Sequence, residues 1–200
     1  MREGHAVQGR HRLSFKLGRP NFYLIEWQEP VQTFYTNKGV VWSSGAGDFL
    51  DMRTGNGKAQ KQRDMKAALS SAAGISGGSS ATIPKTFFSM VPGSQLTLVD
   101  QAGVTKQADG KVGEVDCYVF AGELKGRKRT IWIGKQDFLI HQVRNVITAA
   151  AMKAMLADAA KRHPEIAAHM PKTEYTDSTS TETHQNIVLN QKLSPSDFAR

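Results

Sequence analysis

Two hundred residues, 40% hydrophobic and 22% charged, make a globular chain long enough to bury a substantial core rather than a disordered one. No run approaches the roughly 20 apolar residues that cross a bilayer as a helix, and Met1 to Arg10 has no apolar stretch of the kind a secretory signal carries. The net charge of +8 permits attraction to anionic partners. However, the basic residues are scattered, and no aromatics are interleaved with them as a nucleic-acid stacking platform requires.

In chain order, Leu13, Phe15 and Leu17 alternate with Arg12, Ser14 and Lys16, and Tyr23, Ile25 and Trp27 alternate with Leu24 and Glu26. Strict alternation marks strands with one buried face, because successive side chains leave a pleated chain on opposite sides. Gly18-Arg19-Pro20-Asn21 supplies the turn between them, so residues 5–17 and 21–28 are predicted to form a hairpin. Residues 31–36 and 40–44 form the next predicted hairpin, turning at Asn37-Lys38-Gly39. Residues 53–62 read as a polar, glycine-bearing loop. A helix is expected over 64–73, with Met65, Ala68, Leu69 and Ala72 on one stripe and Gly74 placed to stop it.

Ser76-Gly77-Gly78-Ser79-Ser80 has the composition of a hinge. Pro84 can open a short helical turn carrying Phe87, Phe88, Met90 and Val91. Strands are then expected at 95–100, 112–122, 129–134 and 136–147, with short turns that argue for an antiparallel meander. Met152, Met155, Leu156 and Ala159 mark a helical segment within 149–170. The Thr- and Ser-rich 173–183 suits an exposed strand, and 183–189 reads as the last one.

No catalytic constellation accompanies these elements. The six histidines form no close-spaced metal pattern, and no Gly-x-Ser-x-Gly or phosphate-binding loop occurs. Cys117, the lone cysteine, excludes an intrachain disulfide, and its place in the alternating run Val115-Cys117-Val119 assigns it to packing. The basic stretch Lys58, Lys61, Arg63 and Lys66 and the basic turn Lys125, Arg127, Lys128 and Arg129 read as solvated surface. The chain is expected to be non-enzymatic, to take no cofactor or metal, to bind no nucleic acid and to be a monomer.

The informative feature is apolar. A large, curved antiparallel sheet has two faces and few helical residues to cover them. Phe87, Phe88 and Met90, beside the hinge, either plug the sheet as core or cover an apolar cavity of the sort that binds ligands.

Several motifs also resemble a known group. Gly9, Leu13-x-Phe15-x-Leu17, Arg19-Pro20-Asn21-Phe22, Glu26-Trp27 and Tyr35-Thr36-Asn37-Lys38-Gly39-Val40-Val41-Trp42 follow one another as in the outer-membrane lipoprotein carriers. Val115-Asp116-Cys117-Tyr118-Val119, Thr130-Ile131-Trp132-Ile133, Phe138-Leu139-Ile140, Glu182-Thr183-His184-x-Asn186-Ile187-x-Leu189-Asn190 and Phe198 resemble the later strands of outer-membrane lipoprotein-sorting proteins. The chain thus resembles the LolA/LolB-like superfamily.

The resemblance implies an α+β fold, a curved antiparallel sheet or incomplete β-barrel with helical lid segments over a hydrophobic cavity. It implies one domain over 1–200, with 63–91 as the lid and 149–170 as an extra helical segment. The family's opening helix and first strand have no counterpart before Gly9, so the chain reads as lacking them. The implied function is periplasmic, non-enzymatic binding of lipid or lipoprotein acyl chains; the alternative is an envelope interaction module with a packed core. The cavity and lid residues expected on this basis are Arg19, Tyr23, Ile25, Trp27, Trp42, Phe87, Phe88, Met90, Tyr118, Phe120 and Trp132, with Arg19 as a clamp on lid carbonyls.

Overall fold

The alternation on either side of Arg19-Pro20 becomes an antiparallel pair, β1 (Arg12–Gly18) and β2 (Phe22–Gln28), in continuous register from Arg12 opposite Gln28 to Gly18 opposite Phe22. The computed structural model describes residues 12–28, 38–52, 58–75, 82–88, 103–124, 126–162 and 175–200. Contacts group into two compact units, Met1–Thr97 with Asn190–Arg200, and Leu98–Leu189. The fold is α+β. Among the described residues the strands form two antiparallel sheets and no closed barrel, where the sequence predicts one large sheet.

The first unit holds a five-stranded meander, β1-β2-β3-β4-β5, completed by β3 (Lys38–Ser43), β4 (Asp48–Met52) and β5 (Gln60–Gln62). α1 (Met65–Ile75) and α2 (Thr82–Phe87) follow, and Pro195–Phe198 adds a 3-10 turn. Asp64 caps α1: its Oδ1 accepts the Ala67 N–H at 2.7 Å, and that bond, with Arg63 second, holds its carboxyl below the usual range.

Four expectations in this unit need correction. The stretch 53–62 contains β5, because Gln60 and Lys61 pair with Leu50 and Phe49. α1 runs through Gly74 to Ile75, since packing of its Ala68–Leu69–Ala72 stripe outweighs one glycine. Gly39 is a strand residue rather than a turn residue: the Trp27 indole lies where a Gly39 Cβ would be, so the position requires the absence of a side chain. Pro84 sits inside the first turn of α2 rather than opening it, with Thr82 starting the helix. Predicted strands at 31–36 and 95–100, and the hinge at 76–80, lie outside the described residues.

The second unit holds β6 (Thr105–Lys106), β7 (Gly110–Val112), β8 (Val115–Leu124), β9 (Arg127–Gly134), β10 (Ile140–Ile147) and β11 (Ser178–Thr183). The sheet runs β11-β10-β9-β8-β6, with β7 also on β8. α3 (Ala149–Arg162) buries only Ala151. The β9–β10 connection occupies 135–139, so β10 begins four residues later than predicted. The predicted last strand at 183–189 is also absent. Beyond Thr183 the chain leaves the ladder, Asn186 adopts a left-handed φ of 54°, and Val188 and Leu189 stand exposed.

Candidate functional site

Register places Tyr23, Ile25 and Trp27 of β2 beside Ser43, Val41 and Gly39 of β3, on the face that β1 lines with Leu17, Phe15 and Leu13. α1 covers this face with Ala68, Leu69 and Ala72, all fully buried. These residues form one cluster with Leu50, and Leu13, Leu17, Met52, Met65 and Phe88 pack at its margin. The helical stripe and the strand alternation are therefore two halves of one apolar contact.

A hydroxyl enters the cluster from β2. The Tyr23 hydroxyl donates to Asp48 Oδ1 at 2.6 Å. Burial, followed by that hydrogen bond and the Asp48 charge, pushes the phenol far above its ordinary range, so the hydroxyl remains a donor. The bond satisfies a group that would be costly to bury alone.

At the edge of the cluster Phe88 meets Tyr23 edge-on, with centroids 6.1 Å apart, and Phe87 meets Phe88 at 5.0 Å. The Phe88 N–H closes the end of α2 on the Pro84 carbonyl at 3.0 Å. Arg19, in the β1–β2 turn, donates from Nη2 to the Phe87 carbonyl at 3.3 Å, and its guanidinium carbon lies 5.4 Å from the centre of the Phe87 ring. One guanidinium donor and a cation over a ring thus act together on one residue of the 63–91 segment.

The structure brings Arg19, Tyr23, Ile25, Trp27, Phe87 and Phe88 together within the first unit. Trp42 projects from the opposite face of the same sheet, stacked on Phe49 at 5.5 Å. Tyr118 and Phe120 belong to the second unit, in register with Ile133 and Ile131, and Trp132 lies on the other face of that sheet opposite Val119. Period-two alternation assigns residues to faces within a strand, but it carries no information about which sheet a strand joins. Met90 lies outside the described residues.

The Cys117 thiol is buried, and burial, then the Asp137 charge, pushes its pKa up, away from the nucleophilic thiolate. His141 and His184, far apart in sequence, are neighbours: the His184 N–H donates to the His141 carbonyl at 2.8 Å. Each has its own carboxylate, His141 Nε2 lying 2.9 Å from Asp137 and His184 Nε2 2.8 Å from Glu182. Among the described residues no three His, Cys, Asp or Glu side chains converge on a point where a metal could sit.

Phe198, noted in the sequence only as part of a resembling motif and not as a site residue, is buried against Phe22 of β2. Its signal was available: Ser194-Pro195-Ser196-Asp197 is a capping pattern directly before an aromatic. The chain matches no protein-family model, no curated protein and no solved structure.

Proposed function

We propose that the first unit binds acyl chains of lipid or lipoprotein on the Tyr23–Ile25–Trp27 face, without catalysis, in a carrier or sorting role in the periplasm. In this reading α1 and α2 are the lid, and the described conformation is the closed, unloaded one. The observation that carries it is the Arg19 contact with the Phe87 carbonyl and ring, an exposed cation holding the end of an aromatic segment over an apolar sheet face. Opening exchanges one apolar partner for another. A chain of roughly 15 methylenes offers about 12 kcal/mol in the favourable limit, enough to replace the helix contacts that it displaces.

A second reading is supported by the complete burial of Ala68, Leu69 and Ala72. There α1 is permanent core, and the protein works as an envelope interaction module through its outer surface. Native mass spectrometry of protein purified from membrane-containing extracts, together with uptake of a fluorescent fatty-acyl probe, separates the two. The carrier reading expects bound acyl mass and faster probe loading in Arg19→Leu. Protein that never takes up the probe, with Arg19→Leu indistinguishable from wild type, leaves the packed-core module.

A further inference from the structure

The last residues of the chain meet the β1–β2 hairpin in a register of alternating character. Pro195–Phe198 forms a closed turn: the Ser194 N–H and hydroxyl both donate to Asp197 Oδ2 at 2.7 Å, and the Asp197 N–H returns to the Ser194 carbonyl at 3.0 Å. The turn presents Phe198, 2% exposed, to the Phe22 ring at 5.6 Å. Gly18 makes room for it, since a Cβ there would come within 2.9 Å of Phe198 Cζ.

Polar contacts flank the ring on both sides. Lys16 Nζ donates to the Asp197 carbonyl at 3.4 Å, and Arg200 Nη1 lies 3.0 Å from Glu26 Oε1. Lys16, Gly18, Phe22 and Glu26 share one face of the hairpin, opposite to the face that α1 covers. A cation on a backbone carbonyl, an aromatic slot and an anion therefore stand in the order in which Asp197, Phe198 and Arg200 pass, and the slot and the anion are the two that meet side chains.

We propose that this face is a peptide-recognition site for a segment with an aromatic anchor followed two residues later by a basic one, with the chain's own Asp197-Phe198-Ala199-Arg200 as its resident and displaceable occupant. One deeply buried ring inside a partly exposed polar rim is the anatomy of peptide binding, in which a single anchor dominates. The Arg200 and Glu26 side chains remain 32% and 46% exposed, so the rim orders the segment more than it holds it. The residues from His184 to Ser194 that lead to the turn contain no helix or strand, so nothing regular resists release. Tethering keeps the local concentration of the tail high, on the order of millimolar, and a free peptide competes only when the cis anchor is weakened.

The test uses the full-length Phe198→Ala protein and a fluorescein-labelled peptide of residues 191–200, followed by anisotropy. Saturable binding at least roughly tenfold tighter than to wild type, and lost when the peptide's own Phe is Ala, is the expected result. Equal binding to both proteins, or none to a Phe198→Ala chain with native circular dichroism, overturns it. Should Phe198→Ala not fold, Arg200→Glu is expected to speed tryptic cleavage after Lys192 by a few-fold, about the reach of an exposed ion pair, and adding Glu26→Lys to restore the slow rate. Cleavage that stays fast in the charge-swapped pair overturns the proposal. Neither arm depends on whether the α1 face takes up lipid.

Discussion

In the first unit the sheet face of Tyr23, Ile25, Trp27 and Val41 meets a helix whose stripe is equally apolar, and the Tyr23 hydroxyl is satisfied by Asp48. In the second, the fully apolar centre reduces to Ile131 and Val143 with Ile133 and Ile140 beside them, and α3 contributes one buried residue. Cys117 and Val119 are buried as well, and two buried positions are polar, His141 and His184, each tied to a carboxylate. The difference follows from the helices. Ala68, Leu69 and Ala72 complete one side of α1, whereas α3 is alanine-rich but interrupted by Lys153, Asp158 and Lys161 and is exposed along most of its length. The two histidines hold their buried places by pairing, because a buried polar group without a partner is costly.

That contrast can be broken most directly at Leu69. Leu69→Ala removes a fully buried side chain from the α1 seam and is expected to cost about 2–5 kcal/mol. Hydrogen exchange resolved by segment should place the loss in β2, β3 and α1, with β8–β10 unchanged; a uniform loss would show that the units are not energetically separate. Gly39→Ala comes next. Its Cβ would enter the Trp27 indole, and overpacking of this kind costs about 1–3 kcal/mol, read as a lower denaturation midpoint with altered tryptophan emission.

The third probe is pH, and it addresses the second unit. Burial opposes charge on His184, but the Glu182 carboxylate and the Ile140 carbonyl, 2.6 Å from Nδ1, outweigh it and raise the imidazole pKa above its ordinary value. Both ring nitrogens face acceptors, so the charged form belongs to the fold. A raised folded pKa contributes stability that is complete below the unfolded value of about 6.5 and disappears as pH rises through the folded one. Protection of β10 and β11 should therefore fall across that window in wild type and stay flat in His184→Gln. A pH dependence that survives the substitution would assign the effect to another group.

The smallest expected effect concerns salt. The first unit carries 14 Lys and Arg against 7 Asp and Glu, and the second 12 against 11. Raising ionic strength screens like-charge repulsion, so it should stabilise the first unit by more than the second in the same exchange experiment. An equal response of both units would mean that local pairing, not net charge, controls each.

Much of the local structure was legible in the chain itself. Alternation around Gly18-Arg19-Pro20-Asn21 predicted β1 and β2, the stripe from Met65 to Ala72 predicted α1, and Val115-Cys117-Val119 predicted a buried thiol in β8. These features repeat with the period of a single element, and the physics behind them acts over a few residues. What brought Arg19 to Phe87, Phe198 to Gly18, His184 to His141 and the Trp27 ring onto Gly39 is different in kind. Each joins residues by a contact that no periodicity encodes, since it depends on which sheet a strand enters and what fills the space left beside it. The chain by itself determined β1, β2, α1 and β8 and the side of each that is apolar. Only the tertiary structure decided which apolar sides meet, because that choice is made by shape and by the pairing of polar groups across long stretches of chain.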